Sequence, residues 1–221
     1  MLENTSNSAT YVGTFDGQFT IPCEANTPGA QSRQIMKGKR QGQTVHYLAY
    51  NKLSGYLEKL DYRKHEHDGI RYHDLVLVLR SDAGRFQLEL PVASDPAIKF
   101  FHVMESIDPA APITLSIGKK DKDVLFFVQQ HGAALKWNYT NTNKNGRPDW
   151  EPREEVDVDG TRKTVWSKVK QILFFLEILE RIKPQFEAGW ALPPAPDIEP
   201  PEYQATDVES LDNAPPDDLP F

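Results

Sequence analysis

Apolar and polar positions alternate along much of the chain and predict short β-strands. Residues 9–23, ATYVGTFDGQFTIPC, predict a strand, a tight Asp-Gly turn and a second strand. Residues 72–92 predict a hairpin around a Ser-Asp-Ala-Gly turn, and residues 44–64 mix β-branched and aromatic side chains in a way that favours strands. Residues 113–140 predict three strands separated by a Lys-Lys-Asp-Lys turn and a His-Gly turn.

Two segments instead follow the helical period. Residues 95–106 begin with an Asp at the cap position and a Pro in the first turn, which predicts a short helix. Residues 162–182 predict a long helix that Pro184 ends. One stripe of that helix is apolar and consists of Val165, Val169, Ile172, Leu173, Leu176 and Leu179. Phe174 and Ile178 lie nearly opposite, so we expect a second packed surface there, against either a neighbouring loop or another subunit in a homo-oligomer.

Several short strands, one short helix between strands and one closing helix predict a mainly β fold. A partly open Greek-key barrel of the OB type, with a short helix and a long C-terminal helix, fits this order, and a β-sandwich fits it as well. The predicted domain organisation is a flexible N-terminal arm at 1–8, a folded body at 9–190 and a tail at 191–221.

The tail differs sharply in composition from the body. The net charge of −7 comes from 25 basic and 32 acidic residues, and residues 191–221 hold eight of the acidic residues and no Lys or Arg. The body is therefore nearly neutral, with one more basic than acidic residue. Eight of the 17 prolines also lie in the tail. An acidic, proline-rich segment buries too little apolar surface to offset its ordering entropy, so we expect this tail to be disordered on its own.

The cysteine content, the apolar runs and the first residues restrict the class of protein. The single Cys23 cannot form a disulfide within the chain and excludes a zinc site with several cysteines. No run of about eighteen apolar residues predicts a membrane span, and the first ten residues lack the basic and apolar regions of a signal peptide. The sequence therefore predicts a soluble, intracellular protein.

Basic and aromatic residues are interleaved in two segments. Single-stranded nucleic acid requires such a mixture, because cations follow the phosphates and flat rings stack on unpaired bases. The alternative is ordinary: the rings fill the core and the lysines solvate an outer face. The candidate nucleic-acid-binding residues are Arg33, Lys37, Lys39, Arg40, Tyr47, Tyr50, Lys52, Tyr56, Tyr62, Arg63 and Lys64 in the first segment and Lys119, Lys120, Lys122, Phe127, Lys136, Trp137, Tyr139, Lys144, Arg147 and Trp150 in the second.

The last five residues are Asp217, Asp218, Leu219, Pro220 and Phe221. This tip, and the composition of the tail, resemble the C-terminus of bacterial and phage single-stranded DNA-binding proteins. The resemblance implies an OB-fold body that coats and protects single strands in phage DNA replication, recombination or repair, within the cytoplasm of a bacterial host. It also implies that the tip recruits partner proteins, with Phe221 in an apolar pocket and the two aspartates at a basic rim. Because the body has basic clusters, we expect the acidic tail to compete in cis for the cleft that binds phosphates.

Metal or catalytic chemistry has weaker support. His65, His67 and His73 lie near Glu66, Asp68 and Asp74, but this stretch is typical of a solvated hairpin tip. The acids of the 149–159 loop are likewise expected to be solvated; they are Asp149, Glu151, Glu154, Glu155, Asp157 and Asp159. We therefore expect no metal, cofactor or catalytic residue and no enzymatic activity. The alternatives are a metal-dependent nucleic-acid enzyme that uses these acids, and an OB-like adaptor that binds only proteins.

Overall fold

The computed structural model describes residues 9–36, 40–67, 70–140 and 144–187. The predicted arm at 1–8 and tail at 191–221 lie outside these residues, as does the tip from Asp217 to Phe221. Within the described residues, neither helix is long and apolar enough to cross a membrane. The described elements are β1 (Thr10–Phe15), β2 (Gln18–Pro22), β3 (Gln31–Gln34), β4 (Thr44–Tyr50), β5 (Lys52–His67), β6 (Ile70–Ser81), β7 (Gly84–Pro91), α1 (Asp95–Val103), β8 (Ile113–Lys120), β9 (Asp123–Gln130), β10 (Ala133–Ala134), β11 (Arg153–Val158), β12 (Thr161–Trp166) and α2 (Lys168–Glu187).

Ten of these strands form one sheet in the order β10-β9-β8-β5-β6-β7-β1-β2-β4-β3. Neighbouring strands are antiparallel, except that β1 and β7 are parallel. The mainly β prediction is confirmed, but the sheet is open and its pairing does not close a barrel. One physical reason is that β1 occupies the outer edge of β7, from Thr10 opposite Phe86 to Val12 opposite Leu88. That stretch of edge is no longer free to pair with β9.

Strand β5 joins the two halves of the sheet. Its first residues, Lys52–Gly55, pair with β8, and from Tyr56 onward the strand pairs with β6. A register shift between Leu57 and Lys59 marks a bulge just after the change of partner. At Gly55 an added Cβ would lie 2.6 Å from the carbonyl oxygen of Arg80, so only glycine allows the two backbones to approach this closely.

The core cluster lies on one face of the sheet, and alternate residues of β6 and β7 point into it. Val76 and Val78 of β6 are also buried, outside this cluster. Leu75, Leu77 and Leu79 of β6 are fully buried, as are the leucines of β7 at 88 and 90. Helix α1 covers this face with Phe100 and Phe101. Its start is capped by Ser94, whose hydroxyl accepts a hydrogen bond from the Ala97 backbone N–H at 3.4 Å. The short predicted helix is therefore confirmed; a 3-10 turn at Met104–Ser106 completes it.

The long predicted helix is displaced and rotated relative to our expectation. Helix α2 begins at Lys168, because Thr161–Trp166 form β12, and Pro184 lies within its last turn. Val169 and Leu173 of the predicted core stripe are 67% and 61% exposed. Leu179 of the stripe is buried as predicted, and Ile172 and Leu176 are partly buried against the core. The other buried positions lie outside the stripe and are Gln171, Phe175, Ile178, Ile182 and Phe186. A face with two phenylalanines removes more apolar surface from water than a face with valines, which explains the rotation.

The predicted second surface of this helix is used within the chain. Ile178 is fully buried in the core. Phe174 packs against Tyr139 and Trp150, with ring centroids 5.0 Å away in both cases. The neighbouring-loop alternative therefore describes the contacts of Phe174, and Ile178 belongs to the core.

Gly55→Ala should lower the free energy of unfolding by about 1–3 kcal/mol, because the added methyl group would overlap the Arg80 carbonyl. Gly118→Ala in the adjoining β8 is the matched control, because a Cβ there meets nothing within 4 Å. We expect that substitution to change stability by about 0.5 kcal/mol or less. Urea unfolding of the two variants measures the difference, and equal stabilities would show that the close approach in β5 is not a constraint.

Candidate nucleic-acid interface

The four N-terminal strands extend the outer face of the sheet beyond β7 and form a pocket there. The pocket has a volume of about 450 Å³, and its walls include Tyr11, Arg33, Arg40, Tyr47 and Glu89. We call it the arginine pocket. Three of the predicted interface residues, Arg33, Arg40 and Tyr47, meet in it, although they come from separate parts of the first segment. Tyr47 is buried and packs edge-on against Phe15, so its ring forms a wall of the pocket and is not an open stacking surface.

The side chains of the arginine pocket are held in defined positions. The Arg33 guanidinium lies 4.1 Å from the centroid of the Phe15 ring, and Arg40 Nε donates a hydrogen bond to Gln43 Oε1 at 3.0 Å. Glu89 forms an ion pair with Arg63 at 2.6 Å. Burial, and then the Glu89 and Asp74 carboxylates, raise the pKa of Tyr11, so its exposed ring remains a neutral phenol. Two guanidinium groups beside an open ring can hold a phosphate and an adjoining base.

Trp137 forms a second candidate contact. Its indole stacks on the His102 imidazole, with ring centroids 4.4 Å apart and an interplanar angle of 9°. The next backbone N–H, of Asn138, donates to the His102 carbonyl at 2.7 Å and ties this segment to α1. Trp137 is nevertheless 48% exposed. One face of the indole is therefore fixed by the protein while the ring keeps enough open surface to stack on a base.

His102 is buried and neutral. Its neighbours include Trp150 and Phe175, which pack edge-on against it. The Gln171 amide oxygen accepts a hydrogen bond from Trp166 Nε1 at 3.2 Å, so the amide nitrogen faces His102 Nε2, also at 3.2 Å. Because an amide nitrogen only donates, Nε2 is the acceptor and the proton lies on Nδ1. Burial lowers the pKa of His102 to about 4.

Two predicted interface rings belong to the core. Tyr139 is fully buried and Trp150 almost so. The Tyr139 hydroxyl donates to the Glu105 carboxylate, and Trp150 Nε1 donates to the Thr140 carbonyl at 3.1 Å. Burial first, and the adjacent Glu105 second, raise the pKa of Tyr139. Trp150 packs against His102, on which Trp137 stacks. We remove Tyr139 and Trp150 from the interface because a base cannot reach them.

Arg147 is also occupied within the chain. It forms ion pairs with Asp149 at 2.6 Å and Glu177 at 2.9 Å, and it lies 5.0 Å from the centroid of the Phe174 ring. Its pKa is raised mainly by the hydrogen bond to Asp149. The structure therefore assigns Arg147 a role in attaching α2 to the 147–150 segment, and it does not offer a free cation to a phosphate.

The remaining predicted cations lie mostly at turns and edges. Lys119 forms an ion pair with Asp16 at the β1–β2 turn. The remaining exposed lysines of the prediction are Lys52, Lys64, Lys120, Lys122, Lys136 and Lys144. Lys37 and Lys39 lie outside the described residues. The cations thus surround the sheet at several points, and the structure does not gather them into one cluster.

The remaining predicted rings have different environments. Tyr50 and Phe127 are exposed, and Tyr56 and Tyr62 are half-buried. The Tyr62 hydroxyl hydrogen-bonds with His73 Nδ1, and burial raises the pKa of that tyrosine. Tyr50 and Lys52 line a separate cavity of about 300 Å³.

Sequence reasoning missed Tyr11, Phe15 and His102. Alternation in the first hairpin could have identified Tyr11, because Val12 next to it is fully buried and Tyr11 must face the other way. No local pattern marks His102 as the support of Trp137, since the two residues are brought together by the packing of α1.

Some of the side chains considered for a metal site are engaged elsewhere. Glu151 pairs with Arg153 at 2.7 Å, and His65 pairs with Asp74 at 3.3 Å. In the part of the chain that the structure describes, no group of three or more His, Cys, Asp or Glu side chains is placed to hold a metal ion. The side chain of His67 and all of Asp68 lie outside that part.

Comparisons with protein-family models, with curated proteins and with solved structures found no match to this chain.

Stability should fall between pH 6.5 and pH 4 because of His102. The unfolded histidine binds a proton with a pKa near 6.5, whereas the folded one resists protonation until about pH 4. Its stabilising effect is therefore complete above pH 6.5, declines as the pH falls, and is lost below about pH 4. A difference of this size corresponds to roughly 3 kcal/mol.

Urea unfolding at a series of pH values tests this expectation with two variants. His102→Gln should remove much of the decline over this range, whatever its effect at pH 7. His131→Gln, at an exposed histidine, should retain the decline. If the stability of both variants depends on pH as that of the wild type does, His102 is not the group that causes the decline.

Proposed function

We propose that the protein binds single-stranded DNA with little sequence preference, without enzymatic activity, through an OB-like body. The observation that carries this proposal is Trp137, whose ring is fixed against a neutral His102 and half open to solvent. A preorganised ring costs little entropy when a base stacks on it, and every base has a face to offer.

The strand connectivity supports an OB-like arrangement. Strands β5 to β9 occur in the order β9-β8-β5-β6-β7, with α1 between β7 and β8. OB folds bind oligonucleotides on the face of their second and third strands and with the loops between strands one and two and between four and five. The corresponding parts here are the outer face of β6 and β7, the β5–β6 hairpin and the β8–β9 turn. The hairpin carries Arg63 and Lys64, and the turn carries Lys120 and Lys122.

The proposed binding mode combines two kinds of contact. Trp137, Tyr11 and Phe127 are exposed rings on which bases can stack, each contributing about 1–3 kcal/mol. Arg33 and Arg40 in the arginine pocket, and the lysines at the turns, neutralise phosphates. Each phosphate contact releases counterions, so affinity should fall as salt increases.

The acidic tail adds two further elements to the proposal. By resemblance, the tip from Asp217 to Phe221 binds replication, recombination or repair proteins in the cytoplasm of a bacterial host, as in a phage-encoded member of this class. The eight acidic residues of the tail also compete with DNA phosphates for the basic residues of the body. The adaptor and enzyme alternatives differ from this proposal in what they do to an oligonucleotide, so one titration separates them.

Trp137→Ala should weaken binding of fluorescently labelled oligo-dT by about 5- to 150-fold, because it removes a stacking contact of about 1–3 kcal/mol. Leu173→Ala is the control, since that apolar side chain is 61% exposed on α2 and offers no ring to a base. Fluorescence anisotropy at low salt measures affinity, and gel analysis of the oligonucleotide with Mg²⁺ detects cleavage. An adaptor gives no anisotropy change, a nuclease shortens the oligonucleotide, and either result rejects the proposal.

Removal of residues 191–221 should tighten binding to oligo-dT at low salt, and the gain should shrink as salt screens the competing charges. Comparison of the full chain with a chain ending at Trp190 in the same anisotropy titration measures the effect. Unchanged affinity at low salt would contradict competition by the tail. Absence of binding by both forms would reject single-stranded DNA binding itself.

A further inference from the structure

Strands β11 and β12 form a two-stranded ribbon that is separate from the main sheet. Among the described residues, these strands pair only with each other, from Arg153 opposite Trp166 to Val158 opposite Thr161. Every side chain of β12 is exposed. Both outer edges of the ribbon therefore present backbone N–H and C=O groups that no further strand covers. A two-stranded hairpin is marginally stable alone, and an open edge is a template for another strand.

The base of the ribbon is firmly attached to the body. The Ser167 N–H donates to the Pro152 carbonyl at 2.7 Å, and Lys170 Nζ donates to the Arg153 carbonyl at 3.0 Å. Trp166 packs edge-on against the buried Trp150, with centroids 6.1 Å apart. These contacts fix where the ribbon begins and leave its two edges available.

The two edges carry opposite charges. Strand β11 contains Glu154, Glu155 and Asp157, and strand β12 contains Arg162 and Lys163. The ladder within the ribbon places only Asp157 and Arg162 opposite each other as unlike charges; Glu154 faces Val165, Glu155 faces Thr164 and Lys163 faces Val156.

Several of these charges are not satisfied within the chain. Over the described residues, no ion pair involves Glu154, Glu155 or Lys163. Internal pairing therefore does not account for the separation of acidic residues on one strand from basic residues on the other. The separation gives the ribbon one acidic edge and one basic edge, which are complementary in charge.

We propose that the ribbon binds a second copy of this chain, with the acidic β11 edge of one copy against the basic β12 edge of the next. Pairing of two like edges would place like charges opposite each other, which destabilises a ladder. Pairing of unlike edges continues the antiparallel alternation and places Glu154 and Glu155 beside Arg162 and Lys163. The edge that is used on one copy differs from the edge used on its neighbour, so the contact is head-to-tail and builds a chain or ring of copies. This inference does not depend on the proposed binding of DNA.

Charge reversal on each edge tests the proposal in the full-length protein. In one variant, Glu154→Lys with Glu155→Lys makes both edges basic; in the other, Arg162→Glu with Lys163→Glu makes both edges acidic. Sedimentation velocity without DNA, over a range of protein concentrations at low salt, gives the average mass. The wild-type mass should rise with concentration by about twofold or more, and added salt should reduce the rise.

Each variant alone should keep a constant mass, and an equimolar mixture should regain the concentration-dependent increase. That rescue identifies the ribbon edges, because the two variants carry the same acidic tail and differ from the wild type only at ribbon positions. Far-UV circular dichroism confirms that each variant is folded, and rescue in the mixture itself excludes misfolding. A wild-type mass that stays at one copy, an association that both reversals leave intact, or a mixture that does not recover would each overturn the proposal.

Discussion

The packing around His102 is the interaction on which the candidate site depends. This imidazole is contributed by α1 and is covered by Trp137, Trp150 and Phe175, from three other parts of the chain. An imidazolium could not be accommodated there without losing its hydration, so the cluster requires the neutral form. The same contacts orient Trp137, seat α2 through Gln171 and fix Trp166 at the base of the ribbon. The stacking surface, the closing helix and the ribbon are thus positioned by one buried aromatic cluster.

A second constraint is the pairing of charges on the outer face of the sheet. Arg85 pairs with Glu58, and Lys59 and Lys183 both pair with Asp61. Although burial acts to raise it, hydrogen bonds from Lys183, the Tyr62 N–H and Lys59 hold the pKa of Asp61 at about 2. The charges of Arg85, Lys59 and Lys183 are therefore already balanced by carboxylates of β5. The cations that remain for a ligand lie at the turns and in the arginine pocket, where Arg33 and Arg40 share the walls with Glu89.

Alternation along the chain was enough to predict most of the strands, because residues such as Leu75, Leu77 and Leu79 face one core. It failed where tertiary packing decided the outcome. Residues 162–166 have helical spacing but pair with β11, and the third strand predicted within residues 113–140 is limited to Ala133–Ala134, so Trp137 and Tyr139 do not lie on a strand. Counting rings and cations could not distinguish Trp137, which is exposed, from Trp150, which is buried. That distinction arises when α1 and α2 meet the 137–150 segment, which no local pattern encodes.

The ion pairs of the body determine how stacking and charge would share the binding energy in the proposed complex. A phosphate that approaches Arg63 or Lys119 must replace Glu89 or Asp16, so the net gain from either cation is smaller than from a free one. Trp137 exchanges only water for a base, and its conformation is fixed in advance by His102. In the proposed complex, the rings would therefore contribute the larger share of the affinity per nucleotide, because the charges of the body nearly cancel. The exposed lysines at the turns would mainly guide the strand towards them.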